Sequence, residues 1–255
     1  MFFLLFFGVK SRFAFVDESI RSFPEDISID IPDEYNFLQE YPHCDLGPLT
    51  QECGCCYAYG PIKAMSHRIC KAKNKKTFLS AQFIVACDLL ESGCEGGCSR
   101  SVYYFLEQHG VTDEECHPWS NQLNYSSEFC SKCKDGSQAT LYKAKIGSTK
   151  QITSVQEIKK EIYLHGPVSA SVAVTDRLKY YTGGLFEDPP RDYIADRTHT
   201  VEIIGWGQEK GIPYWIILNQ YGRLWGENGM MRIRMGRDDA RVESYVLAAE
   251  PMITW

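Results

Sequence analysis

The stretch Cys53-Gly54-Cys55-Cys56-Tyr57-Ala58-Tyr59 gathers three thiols just ahead of an apolar pattern of helical period. A thiol becomes a strong nucleophile when it is held as thiolate, and the start of a helix favours that anion. Cys56 stands where the helix is expected to begin. Such a nucleophile also needs a base to take up and return its proton. Of the six histidines, His199 lies 143 residues after Cys56 (199 − 56), inside the roughly 130–150 separation found between thiol and imidazole in one class of thiol enzymes. Asn219 follows an apolar strand pattern 163 residues after Cys56 (219 − 56), and an amide there can hold an imidazole in one tautomer.

The elements that must position these groups change character along the chain. Ile62, Met65 and Ile69 recur at helical spacing, which predicts a helix from Cys56 to about Cys70. Ser80 is a candidate N-cap for a helix over Ala81–Leu90, Ser99–His109 reads as a third helix stopped by Gly110, and Ser154–His165 as a fourth stopped by Gly166-Pro167. Strand patterns then follow at Val168–Val174, Thr200–Trp206, Tyr214–Leu218, Met230–Met235 and Tyr245–Ala249. Helices first and strands second predict an α+β protein.

The 255 residues are enough for one large domain, and 44% apolar with 24% charged is ordinary for a globular chain. Net charge is −6 without a long basic run, so no nucleic-acid partner is expected. All eleven cysteines lie between Cys44 and Cys133. Their scattered spacing argues against a zinc module and for a disulfide-bonded half made in an oxidising compartment. Met1–Val9 is apolar but too short to span a bilayer. Residues 1–14 therefore read as a signal peptide, 15–29 as a short leader and 30–255 as the catalytic domain, with Asn124-Tyr125-Ser126 a glycosylation sequon. His43, His67, His109 and His165 read as surface or helix-end residues, and Trp206, Trp215 and Trp225 as core.

The motif around Cys56 matches C-G-[SA]-C-[WY] except that Cys55 replaces serine or alanine. With Gly93-Cys94-Glu95-Gly96-Gly97, Thr198-His199-Thr200, Ile204-Gly205-Trp206-Gly207, Asn219 and Trp225-Gly226-Glu227-Asn228-Gly229, the chain resembles the papain family of cysteine proteases over about residues 30 to 251. Ala64–Cys70 is similar to the cathepsin B branch, and Tyr41-Pro42-His43-Cys44 to cathepsin B-like proteases of protozoan parasites. The resemblance implies two lobes, one helical and one β-barrel-like, with the active-site cleft between them. It implies a Cys56 nucleophile, a His199 acid/base, an Asn219 that orients His199, and Gln51 as oxyanion donor. It further implies Gly96 and Gly97 as the backbone that binds substrate, and Tyr245 at the floor of the subsite for the second residue on the acyl side of the cleaved bond. That neutral aromatic favours apolar or small side chains. The implied disulfides are Cys44–Cys70, Cys53–Cys94, Cys87–Cys130 and Cys116–Cys133. Cys55 and Cys98 are then left over beside Cys56, expected as buried apolar side chains rather than a bonded pair.

The resemblance implies no metal or cofactor. Its partners would be polypeptide substrates and protein inhibitors of papain-like proteases, and the molecule a monomer without a stable membrane span. Its setting would be the secretory pathway, a lysosome-like vacuole or the exterior. Gln51 stands one residue nearer the nucleophile than the family places its glutamine, so either Gln51 is shifted or Thr50 occupies that place. The leader is also shorter than the family's inhibitory pro-segment. Both features leave a second reading, a weakened homologue that binds peptides or inhibitors without efficient cleavage. The Cys116–Cys133 interval carries His117 alone where cathepsin B has a His-His pair for a substrate C-terminus, which implies an endopeptidase.

Overall fold

The computed structural model describes residues 29–120, 126–190 and 197–253. The signal segment, the leader up to residue 28 and the sequon asparagine lie outside the described residues. The elements below all belong to the unit Ile31–Trp255. In chain order they are β1 (Tyr35–Asn36), α1 (Phe37–Glu40), α2 (Cys56–Lys73), α3 (Ala81–Cys87), α4 (Ser99–Gln108), β2 (Lys150–Ile152) and α5 (Val155–His165). They continue with β3 (Val168–Ala173), α6 (Asp176–Lys179), β4 (Leu185–Phe186), β5 (Thr198–Glu209), β6 (Ile212–Leu218), β7 (Met230–Arg234) and β8 (Val246–Ala248).

Local chemistry explains most of the boundaries. The Ser80 hydroxyl accepts from the Phe83 N–H at 3.0 Å and the Ser154 hydroxyl from the Glu157 N–H at 3.2 Å, so both serines cap their helices. Asn74 ends α2 in the left-handed region (φ 51°), and Gly110 (φ 84°) follows α4 in a conformation that costs a glycine little. The expected extension of α3 to Leu90 does not occur. The chain turns extended at Asp88, beside the Cys87–Cys130 disulfide, and Leu89 and Leu90 stand 67% and 85% exposed. The apolar pair imitates a continuing helix face that nothing covers.

The strands form one mixed sheet in the order β2-β8-β3-β5-β6-β7-β4, with β1 added on β5. Every pairing is antiparallel except β4 with β7. No pairing among the described residues joins β2 to β4, so the expected barrel-like lobe is an open sheet. The α+β class holds, with two hydrophobic cores. One lies among α2, α3 and α4 around Ile62, Met65, Ile69, Ile84 and Leu106. The other lies on the sheet around Val168, Val201, Trp206, Trp215 and Ile233, with Ile158 and Ile162 of α5 packed in. Trp206, Trp215 and Trp225 are all core residues. Removing one such large apolar side chain from water is worth about 1.5–3 kcal/mol.

The α2 helix sits between these cores and touches both. Its approach to β5 needs glycine: a Cβ on Gly60 would stand 2.4 Å from Thr200 Cγ2. The helix carrying Cys56 is thereby brought close to the strand carrying His199.

Candidate active site

Four disulfides, Cys44–Cys70, Cys53–Cys94, Cys87–Cys130 and Cys116–Cys133, fasten the helical half. The second ties the loop before α2 to the Gly93–Glu95 turn, reinforced by the Gly54 N–H donating to the Cys94 carbonyl at 2.9 Å. Cys55, Cys56 and Cys98 are free. Cys98 is exposed, contrary to the expectation of a buried side chain; it precedes α4 on a loop whose N–H donates outward to Glu91. Cys55 is fully buried, and burial pushes its thiol up to about 11. Cys56 is half-buried and is the first residue of α2. Its N–H has no acceptor inside the helix and is free for an external anion. Of the two adjacent sulfurs, only Cys56 combines access with a helix start.

His199 is 3% exposed at the start of β5, and its Nε2 lies 2.7 Å from Asn219 Oδ1. The backbone settles the direction of this bond. Asn219 Oδ1 also accepts the Gln220 N–H at 2.8 Å, so it is the amide oxygen. His199 Nε2 must therefore donate, which leaves Nδ1 as the basic nitrogen. Tyr221 stacks on the imidazole with centroids 4.6 Å apart, shielding the His199–Asn219 bond. Tyr221 is itself pushed up to about 12, first by burial and then by Cys56, so the Cys56 sulfur lies within electrostatic reach of the ring that covers His199. Burial pushes His199 down to about 4; the Asn219 bond opposes that fall and the Lys63 ammonium adds to it.

Gln51 is held by two carbonyls. Its N–H donates to the Gln220 carbonyl at 2.9 Å, and its side-chain amide donates to the Cys53 carbonyl at 3.0 Å. Gln51 Oε1 is buried without a partner. One of the two amide protons is thus taken up by the loop before Cys56, and the other is available. Thr50 pairs instead with Tyr221.

Gly97 runs beside the Tyr57 ring, next in sequence to Cys56, and Gly96 precedes it. The Tyr57 hydroxyl donates to the Gly93 carbonyl at 3.0 Å, and a Cβ on Gly97 would stand 2.6 Å from Tyr57 Cδ2. Only glycine lets this backbone lie so close to the residue after Cys56. Tyr245 precedes β8, with its hydroxyl accepting from Arg100 Nε at 3.2 Å. Arg100 stands in the first turn of α4, whose Ser99 hydroxyl bonds Thr200 beside His199 at 3.0 Å.

The fold and the sequence match a known group. A family model described as papain family cysteine protease matches residues 43–250. The chain belongs to the papain family of cysteine proteases. Several of its relatives carry cathepsin B-like names. Cathepsin B-like CP3 of Giardia intestinalis is 32% identical over 225 residues, covering 85% of this chain and 73% of its own. Cathepsin B-like CP1 of the same organism is 34% identical over 223 residues, covering 86% and 73%. Among solved structures, proCathepsin B S9 from Trypanosoma congolense superposes with a TM-score of 0.80 at 23% identity, covering 91% of this chain and 82% of that one, a likeness of fold.

This cysteine protease, which acts on polypeptide substrates, keeps further polar residues around its site that the sequence did not announce. His67, expected at a surface or a helix end, is 1% exposed within α2, with Nδ1 2.6 Å from Glu202 Oε1. Lys63 is 2% exposed, and Gln220 is fully buried between it and His199. Spacing offered one signal: Lys63 is seven residues after Cys56, two helical turns along the same face. No helix among the described residues is long and apolar enough to cross a membrane.

Proposed function

We propose that this protease is an endopeptidase working through Cys56, His199 and Asn219. His199 Nδ1 takes the thiol proton, and the Cys56 thiolate adds to the scissile carbonyl carbon. The oxyanion is met by the Cys56 N–H and the remaining Gln51 amide proton. The C–N bond breaks as His199 returns the proton to the amine, leaving an acyl-thioester on Cys56. Water then adds, giving its proton to His199, and the acid leaves as the thiol is restored. The observation that carries this reading is the fixed tautomer of His199: donation through Nε2 to Asn219 leaves Nδ1 basic. A base held down to about 4 stays neutral until a thiolate arises beside it, so proton transfer and charge separation occur together.

Gly96 and Gly97 would pair with the substrate backbone, and Tyr245 would line the subsite for the second acyl-side residue. Arg100 on the Tyr245 hydroxyl gives that subsite a cationic rim, which disfavours arginine there and leaves apolar and small side chains accepted. His117 supports endopeptidase action, because its ring is buried against Phe129 and Phe83 rather than presented to a substrate terminus. Four disulfides favour synthesis in the secretory pathway, with a lysosome-like vacuole or the exterior as destination. Protein inhibitors of papain-like proteases would bind the same cleft of a monomer.

The second reading, a weakened homologue, draws on the Gln51 amide proton already spent on the Cys53 carbonyl. Losing an oxyanion donor lowers rate by roughly 10²–10³. Labelling with a thiol-directed epoxide under reducing, mildly acidic conditions separates the two, read beside cleavage of an internally quenched peptide. The expected result is labelling and cleavage abolished in Cys56→Ala and kept in Cys55→Ala. Labelling without measurable cleavage, unchanged in Gln51→Ala, would establish the weakened homologue; an unlabelled wild type would defeat the Cys56 reading.

A further inference from the structure

Lys63 is a cation buried where packing gives no reason for one. A methionine of similar length would fill the same space without taking a charge out of water, a transfer that costs several kcal/mol. Lys63 forms a long buried ion pair with Glu202 Oε2 at 3.9 Å, and its shorter contacts lie elsewhere. The near contacts of Lys63 Nζ are the Leu218 carbonyl at 3.1 Å, Gln220 Oε1 at 3.4 Å and the Asn219 carbonyl at 3.5 Å. These are three consecutive residues, and the middle one holds His199.

The contacts continue to the strand that carries the imidazole. Gln220, fixed at Oε1 by Lys63, donates through Nε2 to the Thr200 carbonyl at 2.5 Å, and Nε2 lies 3.4 Å from His199 Nε2. Its backbone N–H orients the Asn219 amide. Lys63 itself rides on α2, two turns from Cys56 on the same face. One side chain thus connects the helix of the nucleophile to the segment that aims the base. Asn219 Nδ2 is buried without a partner, so its amide is held by the oxygen side and the backbone alone.

We propose that Lys63 is a positioning residue, which holds Leu218–Gln220 against α2 and so sets the His199 ring relative to the Cys56 sulfur. The proposal rests on the Cys56–His199–Asn219 reading above. The charged or titratable groups facing Lys63 are Glu202 and His199 from β5 and His67 from its own helix; the 218–220 segment supplies only neutral dipoles. Burial lowers Lys63 to about 8, and its charge lowers His199. Removing the ammonium should therefore raise His199 and carry the acid limb of activity, set by protonation of this base, to higher pH, which a purely structural role would not do.

The test measures kcat, KM and the pH profile of an internally quenched peptide with Lys63→Met and Gln220→Met, with thermal unfolding and Cys56 labelling alongside. A displaced base costs rate rather than binding, so kcat should fall about 10- to 100-fold with KM within twofold in both variants. The acid limb should move up in Lys63→Met and stay in place in Gln220→Met, which keeps the ammonium. Variants that label and retain kcat within twofold of wild type overturn the positioning role while leaving the catalytic reading intact. A wild type without Cys56-dependent labelling overturns the catalytic reading, and this one with it. Should Lys63→Met show no cooperative unfolding, Gln220→Met decides: a kcat within twofold overturns the proposal, and a fall at constant KM supports it.

Discussion

The two sides of α2 are buried by opposite chemistry. On one side Ile62, Met65 and Ile69 pack into the helical core with α3 and α4. On the other, Gly60, Lys63, His67 and Arg68 face the sheet and α5, taking an ammonium, an imidazole and a guanidinium out of water. The apolar side gains stability from area removed from water, which is tolerant of direction. The polar side places donors and acceptors at fixed distances, and each loses heavily if its partner is removed. Asn219 is tied to the polar side through Lys63, and His199 through Asn219. One helix thus supplies bulk stability through one face and alignment of the site through the other.

The largest break comes at Arg68. Its guanidinium donates to Glu161, to the carbonyls of Gly166 and Pro167 at the end of α5, and to the Ala249 carbonyl after β8. Glu161 is driven to about 2 despite its burial, which raises it, because Arg68 and Lys150 hold it ionised. Arg68→Met removes one partner of a buried pair and leaves three carbonyls without it, so the expected loss is about 3–5 kcal/mol. Urea unfolding measures it. A loss below 1 kcal/mol would mean that the polar side contributes alignment without stability.

This asymmetry also explains what could be read from the chain alone. Ile62, Met65 and Ile69 show their burial by period, and Ser80 and Ser154 show the caps, because both signals are local. The pairing of His199 with Asn219, 20 residues apart, was equally legible. His67 was not, since its partner Glu202 lies 135 residues away and nothing local distinguishes a buried imidazole from an exposed one. Lys63 likewise reads as a solvated charge until Leu218–Gln220 is folded over it. Strands β1, β2 and β4, of two or three residues, carry too little pattern to be found and exist because longer neighbours offer them an edge. The open sheet was hidden for a related reason: strand order is a property of pairings distant in sequence.

A matched pair of substitutions sharpens the contrast. Ile62→Ala leaves a cavity on the apolar side and should cost about 2–5 kcal/mol, with kcat per folded molecule within twofold of wild type. Gly60→Ala puts a methyl 2.4 Å from Thr200 Cγ2 and pushes the strand next to His199. Overpacking of this kind costs about 1–3 kcal/mol, partly offset by the roughly 1 kcal/mol that alanine gains in a helix. The smaller stability loss should bring the larger loss of kcat, about tenfold or more. Unfolding curves beside kcat for both variants check it. An equal kcat in the two would show that the faces do not divide the labour.

The smallest effect is a pH dependence confined to the polar side. His199 is lowered to about 4 by burial, below the roughly 6.5 of an imidazole in the unfolded chain. Its contribution to stability is full above pH 6.5 and is lost as pH falls toward 4, because the unfolded state takes up the proton first. By pH 5 that is about 1–2 kcal/mol. Glu161 has the carboxylate sign: its contribution is full above the ordinary value of 4.5 and is lost as pH falls toward 2, so the two windows separate. His117 and His165, lowered chiefly by burial, share the sign of His199. The measurement is the urea midpoint at pH 7 and pH 5 for wild type and His199→Gln. Wild type should lose more between the two pH values, the remainder in the variant belonging to the other histidines. Equal losses would show that His199 is not held neutral in the fold, and that the polar side titrates through groups away from the site.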